Sequence, residues 1–166
     1  MGRSRARFPN KETRVKFLGG EIHFNFEGRK IQAWRDRLNN FKSAAQDMSP
    51  VYAEFGTYQL RSIDRNFTGE GRPSRWAPLA PATIRERIRL GFGAGPILQR
   101  TKTLRNAFRT HVGKTFLRIL NNTPYFKYHQ QDERLGVKLP RRIMVILLDQ
   151  DKAQFTRIYR RHLGIN

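Results

Sequence analysis

Apolar residues recur at three- and four-residue steps through Ile31, Trp34, Leu38, Phe41, Ala45 and Met48, which predicts an amphipathic helix with one apolar stripe. Ser49-Pro50 reads as a cap followed by a proline at the first position of a second helix, with Val51, Phe55, Ile63 and Phe67 on one side. Both stripes have the composition of core-facing elements. Upstream, Glu21 to Phe26 alternates between flanking glycines and reads as a half-buried strand. Residues 1–19 show no sustained period and read as a basic N-terminal arm, leaving 20–166 as a single domain.

The period breaks in the Gly- and Pro-containing stretch from Thr68 to Arg75, a loop. Trp76-Ala77-Pro78-Leu79 follows, then a short helix from Ala82 to Leu90 that Gly91 ends, then a second flexible loop to Pro96. Leu104 to Val112 and Thr115 to Asn121 suit strands around a Gly113-Lys114 turn, although Thr101 to Arg105 also suits a helical turn. Leu139 to Leu148 is the most apolar run and reads as a strand covered on both faces. Asp149 caps a last helix on which Phe155, Ile158, Tyr159 and Leu163 share a side. The fold class expected is α+β: two N-terminal amphipathic helices, a long loop with a short helix, a small antiparallel sheet and a C-terminal helix. Short turns between successive strands, rather than crossover helices, exclude a parallel plan.

Charge changes the picture most. Thirty-three Lys and Arg against 13 Asp and Glu leave a formal charge of +20 on 166 residues. Between Arg87 and Gln131 there is no acid at all, while Arg89, Arg100, Lys102, Arg105, Arg109, Lys114, Arg118 and Lys127 fall there. Self-repulsion on this scale disfavours an isolated compact monomer and favours a partner carrying negative charge, or an assembly that neutralises it locally. The absence of cysteine excludes disulfide scaffolds, thiolate metal sites and Cys nucleophiles. No apolar run approaches the roughly 20 residues that span a bilayer, and the basic N-terminus lacks a signal peptide's apolar stretch. A soluble product made in a cytoplasm, without membrane partners, is expected.

Chemistry is thin by comparison. His23, His111, His129 and His162 are far apart and form no metal-binding spacing. Asp149 and Asp151 are an acid pair that a magnesium nuclease would use, but capping and the helix dipole account for them better. Gly91 to Pro96 resembles a phosphate loop only superficially, since no Gly-Lys-Ser/Thr follows and a proline closes it. No nucleophile elbow is present. Tyr125-Phe126-Lys127-Tyr128 interleaves a cation with aromatics, yet no base-reading module accompanies it. What remains is a sequence-independent attraction to phosphate backbones. No cofactor, metal or catalytic residue is expected.

The order of the pieces carries more information than any one of them. A Gly-Glu-Gly loop leads to Trp76-Ala77-Pro78-Leu79. A Gly-rich loop leads to Ile97-Leu98-Gln99-Arg100-Thr101 and Leu104-Arg105. Tyr125 to Gln130 then precedes Leu139-Pro140-Arg141-Arg142 and the last helix. This succession, over roughly residues 20 to 163, resembles the phage virion morphogenesis family, which includes Mu-type G proteins and tail-completion proteins of contractile-tailed phages. The chain departs from the family pattern where Lys102 replaces a Gly, where Asp132 and Glu133 follow His129-Gln130, and where Arg142-Ile143-Met144 replaces a Pro-Phe-Leu run.

The resemblance implies a structural, non-enzymatic virion protein of the neck or upper tail end, acting late in assembly to complete tails or join them to heads. It implies a homo-oligomer, a hexameric ring by analogy, whose partners are neck, connector and tail proteins. Backbone contact with genomic DNA in the channel is a further implication. By position, Arg72, Arg75, Arg87 and Arg89 are first candidates for partner or DNA contact, Arg100, Lys102 and Arg105 second, and Arg141 and Arg142 candidates for contact with an adjacent ring. Trp76, Pro78 and Leu79 are expected to anchor the long loop onto the helices. The competing expectation is a free, sequence-nonspecific nucleic-acid-binding protein.

Overall fold

The computed structural model describes residues 11–17, 20–26, 28–130 and 139–165, with side chains from residue 30 onward. The first ten residues of the expected arm, the side chain of His23, and Asp132 and Glu133 lie outside that description. The chain divides into two compact units, residues 1–46 and 47–166.

The first unit contains strands β1 (Lys11–Phe17) and β2 (Gly20–Phe26) and helix α1 (Gly28–Gln46). The strands pair antiparallel, Lys11 opposite Phe26 and Phe17 opposite Gly20, so part of the expected arm is one side of a hairpin. Its own alternation, Thr13, Val15 and Phe17 between Glu12, Arg14 and Lys16, carries that signal beneath the basic composition. Helix α1 forms where expected, but its stripe is not buried: Trp34 and Leu38 are 64% and 62% exposed.

The second unit is built on α2 (Ser49–Thr68). The cap lies one step before the sequence reading. Met48 is the cap residue, and the Asp47 carboxylate accepts the Ser49 backbone N–H at 2.9 Å. Hydrogen bonds from the Ser49 side chain and backbone hold the Asp47 carboxyl below its usual range. Val51, Phe55, Ile63 and Phe67 are all buried, as their spacing predicts. Around α2 come α3 (Pro81–Arg89), α4 (Thr103–Asn106), an antiparallel pair β3 (Phe108–Val112) and β4 (Leu117–Asn121), α5 (Phe126–Gln130) and α6 (Asp149–Leu163). In β3–β4, Phe108 faces Asn121 and Val112 faces Leu117. The fold is α+β.

Two apolar clusters divide the length of α2. Phe67 and Ile63 meet Trp76, Ile97, Leu104, Phe108 and Met144 at one end. Val51 and Phe55 meet Ile158 of α6 at the other. The helix lies close on the sheet at Gly56, where a Cβ would sit 3.1 Å from Leu117 Cδ1 and 3.2 Å from Thr110 Cγ2.

Leu139–Leu148 is not a strand. Its backbone is hydrogen-bonded by side chains instead of by a neighbouring strand. Gln130 accepts from the N–H groups of Met144 and Val145 and donates to the Val145 carbonyl. Asn66 donates to the Met144 carbonyl and Trp76 to that of Ile143. These donors and acceptors satisfy the chain where a ladder otherwise would. Helix α6 begins as expected, but Asp151, not Asp149, receives the Leu148 N–H, at 2.9 Å. Gly164, at φ +66°, closes the helix in the left-handed conformation.

Candidate functional site

The loops that carry the candidate cations are shaped by arginine. At the end of α2 the backbone N–H groups of Gly69 and Gly71 return to the carbonyls of Arg65 and Asn66. Gly71 has φ +112°, and a Cβ there would lie 2.6 Å from the Ser74 carbonyl oxygen, so the turn accepts no side chain. The chain then folds Arg72 inward. Its guanidinium donates to Asn66 Oδ1 at 2.7 Å and to the Ser62 carbonyl and hydroxyl at 2.7 and 2.8 Å. Ser62 in turn donates to the buried Asp151 carboxylate at 3.2 Å. A carboxylate with no exposed surface is thereby linked to a cation through one hydroxyl.

Trp76 stands edge-on to Phe67, with ring centroids 5.5 Å apart, and donates Nε1–H to the Ile143 carbonyl. Leu79 is half-buried against the same cluster. Pro78 is exposed; its carbonyl, with that of Ala77, accepts from Arg142 at 3.0–3.2 Å. Arg142 is only 6% exposed, and burial pulls its pKa down. Arg87, 4% exposed, does the same for the Gly-rich loop: its guanidinium donates to the carbonyls of Gly93, Gly95 and Pro96 at 3.0–3.3 Å. Arg105 bridges Asp64 at 2.6 Å and Gln99 at 2.7 Å. Gln99 continues to the Phe67 carbonyl at 2.8 Å.

The candidate cations therefore separate into two groups. Arg72, Arg87, Arg105 and Arg142 are turned inward as ties between loops and core. Arg75, Arg89, Arg100, Lys102 and Arg141 are exposed. Arg100 lies 4.0 Å from Glu86 and 5.4 Å from the Phe92 ring centroid. Between the loops is a cleft of about 370 Å³ with Leu79, Leu98 and Leu104 inside and Thr83, Arg100 and His129 among its polar lining. Burial, and next the Arg142 charge, lower the His129 pKa, so the imidazole is held neutral. No carboxylate lines the cleft. Asp149 and Asp151 form no joint site either, since Asp149 is fully exposed and pairs with Lys152 while Asp151 is buried. Among the described residues no group of three or more His, Cys, Asp or Glu is placed to hold a metal ion.

The family model of the phage virion morphogenesis family matches residues 27–165. The chain belongs to the phage virion morphogenesis family. Neither the curated proteins nor the solved structures compared with it give a match. This virion morphogenesis protein takes part in building the phage particle. Among its described residues no helix is long and apolar enough to cross a membrane.

One departure from the family pattern acquires a physical meaning. Lys102, where the resemblance led one to expect Gly, is in the left-handed region at φ +58°. A lysine there carries a steric cost that glycine does not. A cationic surface that the sequence reading passed over belongs to α6. Arg157, Arg160 and Arg161 lie at helical spacing and are exposed, with Arg161 bound to Glu54. That three- and four-residue spacing is the signal the sequence carries.

Proposed function

We propose that this virion morphogenesis protein is a structural component of the neck or upper tail end. It acts late in assembly, completing tails or joining them to heads, as a ring around the DNA channel. The family match over residues 27–165 carries this reading. The unbalanced charge supports it: Arg75, Arg89, Arg100, Lys102 and Arg141 are exposed on or beside the loops. A basic lumen attracts DNA through its phosphates without reading sequence. Head-to-tail contacts that close on rotation generate such a ring, hexameric in this proposal, with neck, connector and tail proteins as its neighbours.

Mass spectrometry of purified particles, with image reconstruction of the neck, tests the proposal. Stoichiometric presence and density encircling the channel at the head–tail joint are expected. A chain that is functional yet absent from mature particles overturns it in favour of a free nucleic-acid-binding protein.

A further inference from the structure

Helix α1 spaces its apolar residues three and four apart: Ile31, Trp34, Leu38, Phe41 and Ala45. This is the a and d seam of a heptad, narrower than the stripe of a core-facing helix. The seam is open to water, Ile31 and Phe41 being 40% and 44% exposed beside the more exposed Trp34 and Leu38. With each aromatic side chain presenting about 150–250 Å², the uncovered surface is on the order of 400 Å², the range in which an apolar patch marks an interaction site.

Charge selects the occupant. With Ile31 and Leu38 at a, the e positions are Arg35 and Lys42 and the g positions Lys30, Arg37 and the half-buried Ala44; the four cations are exposed. The acid of α1, Asp36, lies on the opposite side, where it accepts a hydrogen bond from Gln32 at 2.9 Å. A second α1 would set cation against cation along both rims, since g faces e in a parallel pair and g faces g in an antiparallel one. The apolar groove between Phe55, Leu117, Leu147 and Phe155 has no carboxylate in its lining, so a second copy offers no complement there. A lipid surface also takes Trp, Phe and Leu edged by Lys and Arg, but a seam of two positions in seven is the pattern of a helix partner, and the test below separates the two. We propose that α1 is a docking helix for an acidic amphipathic helix of another protein, one with aliphatic a and d residues and Glu or Asp at e and g. This goes beyond the assembly reading and does not depend on it.

The test titrates the full chain with a synthetic four-heptad peptide carrying Leu at a and d and Glu at e and g, beside a matched peptide with Lys at e and g. Subtracting the spectrum of a Trp34→Phe variant isolates Trp34 from the buried Trp76. The Glu peptide should shift Trp34 emission to the blue, with affinity falling roughly tenfold between about 50 and 300 mM salt. The Lys peptide should not bind. Leu38→Glu should weaken binding by at least roughly tenfold, and Arg35→Glu/Arg37→Glu should turn the preference toward the Lys peptide. Failure of the Glu peptide to bind, or equal binding by Leu38→Glu, overturns the proposal. A Trp34 shift with phosphatidylglycerol vesicles but not with the Glu peptide replaces it with a lipid surface. Self-association of the free chain that Leu38→Glu abolishes, read by sedimentation velocity, replaces it with a second copy. None of these results alters the particle composition on which the assembly reading is judged.

Discussion

Helices α1 and α2 are nearly equal in length, 19 and 20 residues, and both carry apolar residues at helical spacing. Only α2 buries them. The residues interleaved with the apolar ones make the difference. On α2 they are Gly56, Gln59, Ser62 and Asn66, small or neutral, and all four are buried. Ser62 and Asn66 find partners in Asp151 and the Met144 carbonyl. On α1 the seam is edged by Arg35, Arg37 and Lys42. A cation enters a core only where several acceptors converge on it, as carbonyls do on Arg87 and Arg142, whereas a neutral polar group is satisfied by fewer partners. An apolar period therefore locates a helix, and the polar residues beside it decide whether the stripe faces a core or a partner.

The largest expected effect sharpens this contrast. Phe67→Ala should cost about 3–5 kcal/mol in urea denaturation, because a large side chain with no exposure leaves a cavity. Trp34→Ala should stay within about 0.5 kcal/mol of the parent. Equal losses would mean that the α1 stripe is core after all. Next in size is Arg142→Met, expected to cost about 1–3 kcal/mol by leaving the Ala77 and Pro78 carbonyls without their donor. Arg37→Met on α1 should leave stability unchanged. Arg87→Met should act locally, exposing Gly91 to Gly95 to limited proteolysis. Lys102→Gly should raise stability by about 1 kcal/mol in the same assay, by removing a left-handed non-glycine residue.

The smallest effect is a dependence on pH. Burial first, and then Arg142, hold the His129 pKa below its ordinary value. The unfolded chain takes up the proton first as pH falls below about 6.5. The contribution is therefore complete above that pH and diminishes as pH falls toward the folded-state value. His129→Gln should flatten the low-pH side of a plot of melting temperature against pH. An unchanged slope would remove His129 from the account.

Much of the second unit was legible in the sequence. The apolar faces of α2 and α6, the short helix closed by Gly91, and the strands around Gly113-Lys114 follow from local period and turn residues. The run from Leu139 to Leu148 was misread because apolar content marks burial but does not say where backbone groups are satisfied. Gln130, Asn66 and Trp76 do that from distant positions, and no local rule anticipates them. The site was legible in part. Arg72, Arg75, Arg87, Arg89 and the other cations lie on or beside loops, and charge alone suggested surface for all of them. The carbonyls that draw Arg87 and Arg142 inward become visible only once the Gly- and Pro-rich loops are folded. The exposed face of α1 was misassigned for the reason the two helices illustrate.

Gln130 has one more consequence. Its amide acts as a clasp on Met144 and Val145, and beside it the Arg142 N–H meets the His129 carbonyl at 2.9 Å. All three bonds of the Gln130 amide fall on two successive residues, so Gln130→Ala should quicken hydrogen exchange at Met144 and Val145 together.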